Sequence, residues 1–259
     1  MKRIVITGGP CGGKSTILDV LQDEFKGKIQ VVPEVATMLL SGFPMPNETY
    51  PWTEEWQALL QASVLPVQMS METAHAHRAK VLGCELLVCD RGILDGASYT
   101  PGGLDAFCSI HNIDADKALA RYDAVIHLES LATSDPEEYQ RKRGTNSARF
   151  EGVERAQVLE HGVLDAWKYH PQRLILRGET HILAKIQKVT GFVREFIALS
   201  SGRQPLRRPF LFALTSTPFP GDMVSIYETP GHRRRRLHWH KLRLSCLTET
   251  PGGRDYRAR

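Results

Sequence analysis

Residues 8 to 16 hold the densest chemistry in the chain. Gly8-Gly9-Pro10-Cys11-Gly12-Gly13-Lys14-Ser15 fits the pattern G-x-x-x-x-G-K-[ST] at every fixed position, and Thr16 follows. Glycines let the backbone curl until successive N–H groups point into one concavity, where an anion can sit. A helix beginning at the end of such a loop adds partial positive charge on the same side. Lys14 would neutralise the β- and γ-phosphates of a nucleoside triphosphate, and the Ser15 hydroxyl would complete a Mg²⁺ shell. The expected ligands are therefore ATP, with GTP open, and Mg²⁺.

A second group of residues could act on those phosphates. Asp90 ends the apolar run Leu86-Leu87-Val88-Cys89. A carboxylate at the end of a buried strand beside a phosphate loop can hold Mg²⁺, directly or through water; its plainer use is to cap the next helix. Arg91 could bind a phosphate or a phosphoryl acceptor, or serve only a surface ion pair. Glu34 follows Gln30-Val31-Val32-Pro33. At the C-terminal end of a strand it could take a proton from an attacking hydroxyl or hold a sugar hydroxyl; otherwise it is a solvated loop acid. Asp95 is the weakest of these acids, as readily structural as functional. Arg141, Lys142, Arg143 and Arg149 crowd a polar stretch between a strand and a helix. A mobile basic lid occupies that place in phosphoryl-transfer enzymes, where it stabilises spread charge and excludes water; a solvated charge run has the same composition.

The elements that must position these groups follow from periodicity. Arg3 to Thr7 is short and β-branched, so it reads as a buried strand entering the loop, and Ile17, Val20 and Leu21 place a helix after it. This strand–turn–helix context separates a phosphate loop from a chance Gly-rich turn. Further strands are expected at 30–32, 85–89, 124–128 and 173–176. Helices are expected at 35–40, from Thr53 to about Leu82, from Asp114 to about Tyr122, over Val153-Ala156-Leu159-Val163-Trp167, and from His181 to about Leu199. Pro66 should kink or split the second of these. Strands alternating with helices predict an α/β fold of the P-loop NTPase kind, an approximately five-stranded parallel sheet with helices on both faces.

The chain has 259 residues, enough for one such domain and an extension. From residue 200 onward twelve basic residues stand against four acidic ones, so this stretch carries +8 and residues 1–199 carry −4. Periodicity also fails there, which predicts a nucleotide-binding, kinase-like domain over 1–199 and an irregular basic tail over 200–259. Arg233 to Arg236 with Trp239 could contact nucleic acid or anionic lipid, or be a basic extension without a specific partner. No apolar run reaches membrane-spanning length. Only Ile4-Val5-Ile6 separates the N-terminal charges from the Gly-rich loop, too little for a signal peptide. The expected location is cytoplasmic. Five scattered cysteines suit reduced thiols, and neither Cys84/Cys89 nor His75/His77 has the spacing of a metal pair.

Gly8 to Thr16, Pro33-Glu34-Val35-Ala36, Cys89-Asp90-Arg91-Gly92, Glu151 to Pro171 and the closing helix with Lys185-Ile186 together resemble the NadR/Ttd-type AAA-like domain family, over residues 1 to about 199. The family includes ribosylnicotinamide kinase domains and the nucleotide-binding domain of a fly photoreceptor-trafficking protein. Deoxynucleoside kinases have a similar spacing, with a Glu after strand two acting as the base and an acidic-Arg pair after strand three. These resemblances imply Glu34 as base and Arg91 on the acceptor. Some family members carry a C-terminal triphosphate-tunnel domain marked by a Glu-x-Glu-x-Lys strand, and that motif does not occur here.

Two functions follow as expectations. One is an ATP-dependent kinase of a small, nucleoside-like acceptor. The other is a nucleotide-dependent switch in regulation or trafficking with little catalysis. An Asn-Lys-x-Asp guanine motif is missing, against a standard GTPase, and the lid stretch is too short for the helical lid of an AAA ring motor.

Overall fold

The computed structural model describes residues 1–143, 152–178 and 181–200, together with four short strands beyond them. Five strands, β1 (Lys2–Thr7), β2 (Ile29–Val32), β3 (Leu86–Asp90), β4 (Ala124–Leu128) and β5 (Arg173–Leu176), form one sheet in the order β2-β3-β1-β4-β5. Every pairing is parallel. The five-stranded parallel sheet with helical connections is the architecture expected from the sequence.

The strands are apolar on both sides because both faces are covered. Ile4, Ile6, Leu86, Val88, Ile126 and Leu128 pack on one face with α1 (Lys14–Glu24) and α9 (Ile182–Ser200) through Ile17, Leu21, Val189 and Val193. Val5, Leu87, Cys89 and Val125 alternate with them and pack on the other face. Their partners there come from α3 (Glu54–Val81), α4 (Gly103–Ile110) and α8 (Val153–Ala166) with the Trp167 that follows it. Trp167 is 1% exposed, and the apolar stripe expected on this helix is its buried face.

Thr53 caps α3, its hydroxyl accepting from the Trp56 N–H at 3.0 Å. Of the two outcomes expected at Pro66, a kink or a split, the split does not occur; the helix runs unbroken for 28 residues. A proline removes one backbone hydrogen bond, and buried Leu60, Leu65 and Gln68 anchor the turns on both sides of it. Asp114 caps α5 (Ala115–Ala120), accepting from the Lys117 N–H. A 3-10 turn at Asp95–Tyr99 and α4 fill a stretch to which the sequence pattern gives no element.

A short α2 (Val35–Leu40) follows β2. After β4 come α6 (Leu131–Ser134) and α7 (Pro136–Arg143). Beyond residue 200 the sequence predicts an irregular extension. The structure has four antiparallel strands there, β6 (Leu211–Leu214), β7 (Met223–Thr229), β8 (Arg233–His238) and β9 (Leu244–Thr248), in a sheet of their own. Leucine, valine and isoleucine recur in these segments and give them local strand preference, although they are too short to announce themselves by periodicity. Arg233–Arg236 lie on β8, and Trp239 lies outside the described residues.

Candidate active site

The parallel register brings the C-terminal ends of β1, β2 and β3 to one edge of the sheet, with Asp90 opposite Ile6 and Val32 opposite Cys89. The phosphate loop, Glu34 and the Asp90-Arg91 pair are therefore neighbours, although 83 positions separate Gly8 from Arg91. Ligands of open parallel sheets bind at this edge.

The loop leaves β1 at Gly8, whose φ of 126° puts it outside the range of L side chains. A Cβ there would also lie 2.0 Å from the Leu128 carbonyl oxygen. Gly13, at φ 92°, starts α1. Lys14 is buried and folds back on the loop: its Nζ donates to the Gly8 carbonyl at 2.8 Å and the Gly9 carbonyl at 2.7 Å. Burial lowers its ammonium to about 8, aided by the Arg91 charge and opposed by Glu34, Asp90 and Glu160. Ser15 is exposed and Thr16 half-buried on the first turn of α1; Pro10 and Cys11 are half-buried in the loop.

Arg91 has a left-handed backbone at φ 69°, a conformation that costs on the order of 1 kcal/mol in a non-glycine residue. The surroundings impose it. Its N–H donates to the Ile6 carbonyl at 3.0 Å, and its own carbonyl accepts from Gln68 Nε2 at 3.2 Å. The guanidinium Nε then meets Glu34 Oε1 at 2.5 Å, while Nη1 reaches the Gly8 carbonyl and Asp95 Oδ2, each at 3.4 Å. Thr37 Oγ1 donates to the other Glu34 oxygen at 2.6 Å. Burial would raise the Glu34 carboxyl, but the Arg91 and Lys14 charges and these two hydrogen bonds hold it at about 2. The Arg91 charge is correspondingly secured: burial opposes it, and Glu34 chiefly overcomes that.

Asp90 is the contrasting acid. Burial pushes its carboxyl up to about 6, and the Glu34 charge adds to this against Lys14 and Arg91. Its Oδ1 is buried without a hydrogen-bond partner. Buried polar atoms without a protein partner are rare and are met by ordered water, a ligand or an ion. A divalent cation at this oxygen would supply the missing partner and favour the charged carboxylate, so Asp90, with the exposed Ser15 hydroxyl, fits the Mg²⁺ role expected of the pair.

Asp95 braces the fold beside its contact with Arg91. Its Oδ2 accepts from Thr7 Oγ1 at 2.6 Å and its Oδ1 from Trp167 Nε1 at 2.7 Å, tying β1 to the residue after α8. Arg141 is exposed and pairs with Glu138 on its own helix at 2.6 Å, not with the loop. Lys142 pairs with the same carboxylate at 3.0 Å. Arg143 ends α7, and Arg149 lies outside the described residues.

The model of an AAA domain family matches residues 3–181, which spans β1 to the start of α9 and every residue of the constellation just described. The chain belongs to this AAA domain family. Among solved structures, a thymidylate kinase from Candida albicans shares the fold at 19% identity and a TM-score of 0.50, over 78% of this chain and 93% of that one. A deoxyadenosine kinase from M. mycoides aligns at 19% identity and a TM-score of 0.44, over 75% of this chain and 99% of that one. No curated protein matches the chain. Among the described residues of this AAA domain no helix is long and apolar enough to cross a membrane.

The AAA domain's loop is also held by residues that motif reading passed over. Glu160 Oε2 accepts the Gly9 N–H at 2.6 Å, Ser130 Oγ donates to the Pro10 carbonyl at 2.5 Å, and Lys185 Nζ donates to the Gly12 carbonyl at 3.2 Å. Lys185 belongs to the Lys185-Ile186 pair of the closing helix that carries part of the family resemblance. The available signal was a charged residue on an apolar stripe: Glu160 falls between Ala156 and Val163 at helical spacing.

Proposed function

We propose that this protein is an ATP-dependent kinase of a small nucleoside-like acceptor. The observation that carries the reading is the Glu34–Arg91 pair, set beside Lys14 and Asp90 at the sheet edge. Simple nucleotide binding needs the loop and a metal-holding acid; a carboxylate and a guanidinium joined beside them can orient an attacking nucleophile, which in this reading is the hydroxyl of an acceptor.

In this reading Lys14 keeps the Gly8 and Gly9 carbonyls, which fix its ammonium in place, and offers its third N–H to the β- and γ-phosphates, whose charge offsets the cost of its burial. Asp90 and Ser15 would hold Mg²⁺, which when bound would neutralise charge across those phosphates. The acceptor hydroxyl oxygen forms a bond to the γ-phosphorus as the bond from that phosphorus to the bridging oxygen breaks, and ADP departs. A carboxylate held at about 2 is a weak base. Glu34 therefore orients the hydroxyl by accepting its hydrogen bond and receives the proton late, which a loose phosphoryl-transfer transition state tolerates. Arg91 fixes Glu34 and offers its remaining N–H groups to acceptor or phosphate. Arg141 must leave Glu138 to reach the phosphates.

The test is the full chain with γ-labelled ATP, Mg²⁺ and a panel of nucleosides and nucleoside monophosphates. Labelled acceptor should appear, and Glu34→Gln should remove it while nucleotide binding persists. ATP hydrolysis with every acceptor left unmodified counts against the proposal. A nucleotide switch has one observation on its side, the closed, strongly ionised Glu34–Arg91 pair. It predicts that Glu34→Gln leaves function largely intact, whereas Lys14→Ala abolishes nucleotide binding under either reading.

The reading confines the machinery to residues 1–199, in the cytoplasm. The basic segment beyond is an appendage whose proposed contacts are anionic lipid or nucleic acid. Deleting residues 201–259 should then abolish retention on anionic vesicles or RNA.

A further inference from the structure

Three buried side chains, Ser130, Glu160 and Lys185, grip the outside of the phosphate loop, and Glu160 forms a chain of its own. Glu160 on α8 is 1% exposed. Its Oε2 accepts the N–H of Gly9 at 2.6 Å and that of Ser130 at 3.3 Å. Its Oε1 is bonded to Nε2 of His127, the one polar residue of β4 and itself buried. A Cβ on Gly9 would lie 2.4 Å from Glu160 Oε2, so the carboxylate stands where only a hydrogen fits on the loop. Burial would raise the Glu160 carboxyl, but its bond to His127 and that of Gly9 overcome this and keep it ionised. A charged acid thus lies buried beside a site for a polyanion, an arrangement that costs phosphate affinity by repulsion unless it returns something.

What it returns is geometry. The Gly9 N–H is spent on Glu160, and this fixes the peptide whose neighbouring carbonyls, of Gly8 and Gly9, hold Lys14 Nζ. Lys14 also feels the Glu160 charge, which favours its protonated form. We propose that Glu160, set by His127 and seconded by Ser130 at Pro10, is a positioning residue of the phosphate loop. It determines polyphosphate affinity without touching the nucleotide. The proposal rests on the reading that this loop binds nucleoside triphosphates.

The experiment measures Kd by calorimetry for Mg²⁺-ATP and for inorganic tripolyphosphate, which engages the loop but offers no base or sugar. The full-length wild type, Glu160→Ala, Glu160→Gln and Ser130→Ala are compared, and folding is checked by circular dichroism and Tm. Hydrogen bonds to charged groups of this kind set the expected loss at roughly 10- to 100-fold for Glu160→Ala. The loss should be by the same factor for both ligands. Glu160→Gln keeps an acceptor for Gly9 and should fall between it and wild type, and Ser130→Ala should lose a smaller factor. A purely structural role would lower Tm and leave Kd unchanged in the folded variant, and that result overturns the proposal. If Glu160→Ala does not fold, an unchanged Kd in Glu160→Gln and Ser130→Ala overturns it equally. If the wild type binds neither ligand, the nucleotide reading fails and takes the proposal with it, an outcome distinct from wild-type binding that Glu160 does not affect.

Discussion

Asp90→Asn should stabilise the fold while damaging its metal site. The Asp90 carboxyl sits at about 6 against an ordinary 3.8, chiefly because burial disfavours its charge. An acid whose pKa is raised by folding stabilises the native state below its ordinary pKa and loses that contribution as pH rises through the folded value. The loss therefore accumulates between about pH 4 and pH 6 and is complete at pH 7. Two units and a fraction at about 1.4 kcal/mol each amount to roughly 3 kcal/mol, or a Tm difference of roughly 5–10 °C for a domain of this size. Asparagine carries no charge and escapes this loss. The assay is thermal and urea unfolding of wild type and Asp90→Asn between pH 4.5 and 8, in chelator and without nucleotide. The two should differ little at the acid end and separate as pH rises, with the variant the more stable at pH 7. Adding Mg²⁺ with ATP should reverse the order, because only the wild type gains the metal. Parallel pH profiles, or an Asn variant less stable throughout, would refute the assignment of Asp90 as a buried acid whose charge awaits a cation.

Glu34 has the opposite sign: with its carboxyl at about 2 against 4.5, its contribution is present above pH 4.5 and disappears as pH falls toward 2. Allowing for its partial exposure, Glu34→Gln should lose about 2 kcal/mol at pH 6 and show a flatter acid limb in urea titrations. Glu72 is fully buried and joins Arg121 Nε at 2.6 Å, the Tyr122 hydroxyl at 2.7 Å and Gln68 at 3.1 Å. Glu72→Ala leaves the Arg121 charge uncompensated and should cost about 3 kcal/mol or more in chemical unfolding, whereas Tyr122→Phe should cost about 1 kcal/mol. Gly8→Ala meets both a φ of 126° and a carbonyl oxygen 2.0 Å from its Cβ; it should abolish nucleotide binding in calorimetry and lower Tm equally with and without ATP.

The phosphate loop, the five strands and their parallel arrangement were legible in the sequence because each depends on local signals. A Gly-rich turn, a β-branched run and an apolar stripe at 3.6 spacing act within a dozen residues. Asp90, Arg91 and Glu34 were legible as candidates for a related reason: each lies at or just beyond the end of a strand, and parallel strands deliver their C-terminal ends to one edge. Continuity through Pro66 was not, since packing of the flanking turns outweighs a single lost hydrogen bond.

The pairing of those acids and cations was decided only by the tertiary structure. Nothing in the spacing of Glu34 and Arg91 shows that one guanidinium closes on the carboxylate at 2.5 Å and leaves Asp90 Oδ1 without a partner. Two acids of similar ordinary pKa are thereby driven apart, to about 2 and about 6, because a charge answers to its surroundings rather than to its neighbours in the chain. The same holds for Glu160, which lies 151 positions from the Gly9 N–H it accepts. The sequence by itself determined that this chain builds a phosphate loop at the edge of a parallel sheet; the folded sheet decided which charges stand beside that loop, and in what state.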